Sequence, residues 1–162
     1  MLDRMTTHLK TVLMTKNDVY FITASGTGSM EASIVNTLSP GDKVLSIIIG
    51  VFGERYAEIA EAYGGNVTRL EFPLGTAADP DAVKDVLRKM ETCKAVVLTH
   101  NESSTGVANP LQKLCQIIQD ESDALILVDA VSSGAGMPIA VDAWGIDVVA
   151  TASQKSWIAP PG

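Results

Sequence analysis

Cysteine and histidine are scarce, two of each among 162 residues: Cys93, Cys115, His8 and His100. The cysteines form no CxxC and share no metal-ligand spacing with the histidines, so zinc and disulfide scaffolds drop out and no metal site is expected. Both thiols read as reduced packing residues of a cytosolic protein. Positive charge is also short, with Lys plus Arg 12 against Asp plus Glu 19 and a formal net charge of −7. No basic cluster interrupts that balance, which argues against nucleic acid and anionic membrane as partners. Long apolar runs are missing too. The longest, Val44 to Phe52, is broken by Ser46 and Gly50 and falls well short of the roughly 18 residues a membrane span needs. No apolar stretch follows the opening MLDRM, so a signal peptide is not expected and a cytoplasmic location is. Aromatics make up only 5%, yet hydrophobic residues reach 46%, which suits one substantial core and not a disordered chain.

The apolar pattern switches between short β-branched runs and longer helical periods, as in βα units stacked on a parallel sheet. Strands are predicted over Val19 to Thr23, Lys43 to Ile49, Asn66 to Glu71, Ala95 to Thr99, Ala124 to Val128 and Ile146 to Thr151. Helices are predicted over Asp3 to Met14, with Leu9, Val12 and Leu13 on one face, and from about Ser29, with Met30, Ile34, Val35 and Leu38 in register, up to Pro40 and Gly41. Three more cover Glu54 to Tyr63, Asp81 to Glu91 and Leu111 to Asp120. Most of the strands lack polar alternation, as expected where helices cover both faces. The expected class is therefore α/β, three layers with a mostly parallel central sheet. No repeat, low-complexity tract or linker interrupts it. The chain opens inside a helix-like pattern and stops at APPG just after a strand and a lysine, as a piece of a longer sequence would.

In open parallel sheets ligands sit beyond the carboxyl ends of the strands, and four polar clusters fall there. In SGTGSMEAS, Gly26 and Gly28 permit close backbone approach, Thr27 and Ser29 supply hydroxyls, and the next helix presents free N–H groups. The run is either an anion cradle or a plain strand-to-helix turn. It is no Walker A loop, and Glu31 stands where a dinucleotide fingerprint needs its third glycine. Asp129 ends the apolar run ALILV, either as a carboxylate lifted to the sheet rim or as a cap for the next turn. Lys155, in TASQKSW, is alone a solvated charge and in company an amine able to form an imine. THNESSTGV offers Asn101, Glu102, Ser103, Ser104 and Thr105, or is an Asx or Ser/Thr turn. His100 has neither a Ser-x-Gly elbow nor triad partners, and reads as structural.

One ligand makes these clusters a single argument. Pyridoxal 5'-phosphate needs an anion cradle for its phosphate, a lysine for its aldehyde, a carboxylate for its ring nitrogen and a donor for its phenolic oxygen. Each need has one candidate, in separate loops on the same sheet edge.

The stretches SGTGSMEASIVNTLSPGDKVL, THNESSTGV, ILVDAVSS and SQKSWIAPPG, in this order, resemble the class V aminotransferases of pyridoxal-phosphate fold type I, nearest the alanine:glyoxylate and serine:glyoxylate group. The resemblance implies that residues 1–162 are part of a large cofactor-binding domain, without the family's N-terminal arm and C-terminal small domain. It assigns Lys155 as the Schiff-base lysine and Asp129 as the partner of the pyridine nitrogen. Thr27, Gly28 and Ser29 match the phosphate-binding turn, Gln154 a further residue at the phosphate, and Ser103 the hydroxyl near the phenolic oxygen. Phe52 aligns with an aromatic that stacks on one ring face, and Val131 with the residue packed on the other. The implied reaction is ping-pong transfer of an amino group from alanine or serine to glyoxylate or a similar 2-oxo acid, with Lys155 moving the proton.

The family's antiparallel strand after the lysine loop, which lies between the first strand and the rest of the sheet, is not in this chain. Its lack implies two open edges and a cleft. A homodimer is implied for the full-length protein. The rival reading within the family is a cysteine desulfurase or related lyase, but those place a histidine before the lysine and another over the ring, where this chain has Gln154 and Phe52. A reading of a different kind is a catalytically inactive fragment that keeps the fold.

Overall fold

The computed structural model describes residues 1–161; Gly162, the last residue of the SQKSWIAPPG stretch, lies outside them. The helices are α1 (Leu2–Leu13), α2 (Gly26–Val35), α3 (Val51–Ala62), α4 (Pro80–Lys89) and α5 (Leu111–Glu121). The strands are β1 (Lys43–Ile48), β2 (Asn66–Glu71), β3 (Ala95–Thr99), β4 (Asn101–Glu102), β5 (Val107–Ala108), β6 (Leu125–Asp129) and β7 (Val148–Ala150). A parallel sheet runs in the order β2-β1-β3-β6-β7, and β4 and β5 form a small antiparallel hairpin.

Strand alternation divides the core in two. Leu45, Ile47, Val96, Leu98, Ile126 and Val128 face one side, where they meet Val83 and Leu87 of α4 and Leu114, Cys115 and Ile118 of α5. Val44, Ala95, Val97 and Leu127 face the other, against Met30 and Ile34 of α2 and Tyr56 and Ala60 of α3. The result is the expected three-layer α/β arrangement, held by burial of apolar side chains on both faces. A buried hydroxyl pair on that second face, Ser33 Oγ and Tyr56 Oη at 2.6 Å, satisfies groups that would otherwise be costly there. Burial pushes the thiol of Cys115 up to about 12 and that of Cys93 upward, so both are packing groups in this fold.

Several expectations need correction. Val19 to Thr23 forms no strand. Tyr20, Phe21 and Ile22 are 81%, 47% and 49% exposed, and no described strand lies beside the segment to complete a ladder. The outer edge of β7 is unpaired among the described residues, so of the two expected open edges this one is present, while the other is not, because the first strand does not form. The helix placed from Ser29 begins at Gly26, because the Ser25 hydroxyl caps it by accepting from Gly28 N at 3.3 Å. The helix placed from Glu54 begins at Val51, for a reason that lies in the site. The strand placed over Ile146 to Thr151 shortens to Val148–Ala150, since Ile146 N turns back to Val141 O at 3.0 Å. Val12 is exposed on α1, while Leu13 reaches the core.

Candidate active site

Because the main sheet is wholly parallel, the carboxyl ends of β1, β3, β6 and β7 open on one edge. The register sets Thr99 beside Asp129 and Asp129 beside Ala150. The loops leaving these strands carry most of the residues singled out in the sequence.

The first turn of α2 belongs to the same edge. A Cβ built on Gly26 would lie 2.8 Å from Val131 Cγ1 and 3.5 Å from Ala152 Cβ, so this helix start touches the loop after β6 and the loop after β7. The amides of Gly26 and Thr27 have no protein partner among the described residues, since the Ser25 cap satisfies only Gly28 N of the first turn's orphan donors. Thr27 Oγ1 sits 3.5 Å from a guanidinium nitrogen of Arg55. The Ser29 hydroxyl donates to Gly26 O at 2.7 Å, which commits its proton to the helix and leaves only its acceptor capacity.

Asp129 is 5% exposed. Its Oδ1 accepts from Val131 N at 2.8 Å, and its Oδ2 has no donor among the described residues. Desolvation pushes this carboxyl up to about 6. The Val131 amide opposes that, nearby Glu102 adds to it, and the charges of Arg55 and Lys155 lower it. Lys155 is therefore close enough to act on Asp129, although it is exposed and in no ion pair among the described residues. Its loop is fixed by Lys155 N to Ala152 O at 3.3 Å and by the Trp157 indole donating to Thr151 Oγ1 at 2.7 Å. Gln154 and Ser103 are exposed, and neither side chain has a hydrogen bond among the described residues.

Phe52 is half-buried on the first turn of α3, with the Arg55 guanidinium 5.0 Å from its ring centroid. Glu102, wholly buried, accepts from Phe52 N at 3.0 Å and Gly53 N at 3.2 Å. That cap is why α3 starts early. Asn101 donates to Ser132 Oγ at 2.9 Å, tying the hairpin to the loop after β6, and Ser156 Oγ donates to Ser132 O. His100 is buried, and that burial pushes the pKa of its imidazole below its ordinary value.

Thr27, Phe52, Asp129, Val131 and Lys155 thus lie around one sheet edge, with Gly28 and Ser29 one turn into α2. Sequence reading missed Arg55 and gave Glu102 no role. Arg55 stands three residues after Phe52, a spacing that shares a helix face, and this was the available signal. Glu102 also bonds Ser104 two residues on, which reads as a local turn, while the partners that give it a role in the site lie 50 and 49 residues away and leave no local signal.

The family model for class V aminotransferases matches residues 3–162. An uncharacterized aminotransferase of Methanocaldococcus jannaschii is 47% identical over 154 residues, covering 95% of this chain and 40% of that protein. The L-aspartate–glyoxylate aminotransferase of Paracoccus denitrificans is 36% identical over 156 residues, covering 94% of this chain and 39% of its own. The crystal structure of an alanine–glyoxylate aminotransferase from Nostoc sp. superposes with a TM-score of 0.92 at 34% identity, over 99% of this chain and 42% of that one. The chain therefore spans about 40% of the length of such relatives.

Proposed function

This chain belongs to the class V aminotransferase family, and on that premise we propose that it forms the cofactor-binding part of an aminotransferase that moves an amino group from alanine or serine to glyoxylate or a similar 2-oxo acid. The two relatives above with a named reaction share glyoxylate and differ in the amino acid, which favours a fixed acceptor class and a variable donor. In the whole protein, residues 1–162 belong to the large domain, and an N-terminal arm and a C-terminal small domain complete the site. The same reading carries a homodimer, small amino-acid and 2-oxo-acid substrates and a cytoplasmic location. No helix among the described residues is long and apolar enough to cross a membrane.

The observation that carries the proposal is Asp129. A buried carboxylate with one oxygen unbonded and a pKa pushed up to about 6 lacks a cationic donor, and the protonated ring nitrogen of pyridoxal 5'-phosphate is one. When bound, that cofactor carries the amino group and withdraws electrons from the substrate α-carbon. Asp129 would keep the ring nitrogen protonated. Lys155 Nζ would hold the cofactor's aldehyde carbon and would serve as the base that moves the substrate's α-proton. The free amides of Gly26 and Thr27, with the Thr27 hydroxyl and Gln154, would hold the phosphate at the start of α2, while Gly28 and Ser29, whose amides and hydroxyl are bonded to Ser25 and Gly26, shape the turn that presents them. Phe52 and Val131 would bracket the ring, and Ser103 would donate to its phenolic oxygen. Gln154 before the lysine and Phe52 at the ring favour transamination over a desulfurase-type lyase.

The test is amino transfer to glyoxylate in the whole protein, with alanine, serine and aspartate as donors. The wild type is expected to transfer from at least one of them. Asp129→Asn is expected to lower turnover at least about 100-fold while cofactor uptake changes less than about tenfold, since its charge matters most in the transition state. Cofactor uptake without transfer from any donor supports an inactive fold instead.

A further inference from the structure

We propose that Glu102 is the positioning residue of this site: its carboxylate fixes the first turn of α3, and through it the Phe52 ring, against the hairpin that borders the β6 loop. The inference rests on the cofactor reading and deepens it.

Glu102 carries the arrangement of an acceptor-only group surrounded by donors. Its Oε2 takes the amides of Phe52 at 3.0 Å and Gly53 at 3.2 Å. Its Oε1 takes the amide of Ser104 at 3.0 Å and the Ser104 hydroxyl at 2.7 Å. Ser104 Oγ in turn accepts from Val51 N at 3.3 Å, so three successive amides of α3 end on the hairpin. A fully buried carboxylate is tolerated where donors and a helix N-terminus replace its water, and here both do. Gly50 makes the approach possible. A Cβ there would lie 2.5 Å from Glu102 Cγ and 2.7 Å from Ser104 Oγ.

The fixed turn carries what faces the site. Phe52 lies on it, and Arg55 stacks on the Phe52 ring and reaches Thr27 at the start of α2. The hairpin that holds Glu102 is bonded through Asn101 to Ser132, in the loop that Asp129 begins. One carboxylate therefore ties the ring-bearing helix to the loop that carries Val131 on the opposite side. Glutamine cannot replace it, because the amide NH2 would meet an N–H donor whichever way it turned.

The experiment is a double-mutant cycle on pyridoxal-phosphate binding by the full chain, read as the dissociation constant from the cofactor's absorbance. Glu102→Gln is expected to raise that constant about tenfold when Phe52 is present, on the scale of one aromatic contact. In the Phe52→Ala background the same change is expected to add less than about twofold, because its target is gone. Equal effects in both backgrounds, or none in either, overturn the inference, since a general loss of stability acts regardless of the ring. If Glu102→Gln does not fold, Gly50→Ala presses on the same contact and is expected to show the same dependence on Phe52. A wild-type chain that takes up no cofactor overturns the cofactor reading and this inference with it; uptake with a flat response to both variants overturns this inference alone.

Discussion

Gly26 and Val131 are in contact to the limit of what atoms allow: a Cβ on Gly26 would lie 2.8 and 2.9 Å from the two Val131 methyl carbons. The contact joins the start of α2 to the loop after β6, and the absence of a side chain at position 26 is what permits it.

Gly26→Ala is therefore expected to destabilise the fold by about 1–3 kcal/mol, the usual cost of overfilling a packed contact, despite alanine's better helix propensity. Adding Val131→Ala is expected to recover most of that loss. Urea unfolding of the single and double variants checks both statements.

The raised carboxyl of Asp129 sets a pH dependence whose sign is fixed. The folded state holds this proton up to about pH 6, whereas the unfolded chain releases it near 3.8. Between those values the native state binds more protons, so stability falls as pH rises through that window, by at most about 3 kcal/mol. Asp129→Asn is expected to flatten this part of the curve and to be the more stable form at pH 7. Unfolding free energies of both proteins at pH 4, 5, 6 and 7 supply the comparison.

Much of the architecture was readable in the sequence, and the failures have a common cause. Lys43 to Ile49, Asn66 to Glu71 and Ala95 to Thr99 were found because a buried strand writes its burial into consecutive residues, and α5 because its apolar stripe repeats at helical spacing. Val19 to Thr23 has the same local composition, but a strand also requires a neighbour, which composition does not encode. The start of α2 was placed late because Gly26 and Gly28 read as loop, while the Ser25 cap overrides their weak propensity. In the site, Asp129 stood out by its position at the end of a buried strand, and Lys155 and Thr27 only through the company of the other loops on that edge. Glu102 and Arg55 act through tertiary contacts with α3 and α2, which one stretch of sequence does not reveal.

The open edge of β7 and the exposed Tyr20, Phe21 and Ile22 present unpaired backbone beside apolar side chains. Such a surface, open in a chain that spans about 40% of the length of its relatives, can pair with another copy. Concentration-dependent association is expected in sedimentation velocity, and Phe21→Lys with Ile22→Lys is expected to reduce it while leaving the core, and hence the thermal unfolding midpoint, nearly unchanged.

Arg55 shares the electrostatics of Asp129 and the stacking of Phe52. Arg55→Met keeps much of the bulk and removes the charge, so the Asp129 carboxyl is expected to titrate higher than in the wild type. Carbon-13 NMR titration of the aspartate carboxyls measures this directly, and an unchanged value means that the guanidinium is screened from the carboxylate.

The central claim is that Lys155, Asp129 and the start of α2 serve one flat phosphorylated ring. The direct measurement is to mix the chain with pyridoxal phosphate, reduce with borohydride and locate the label by peptide mass. The account predicts a single modified lysine, Lys155, and its loss in Lys155→Ala; label spread over surface lysines, or none, contradicts it.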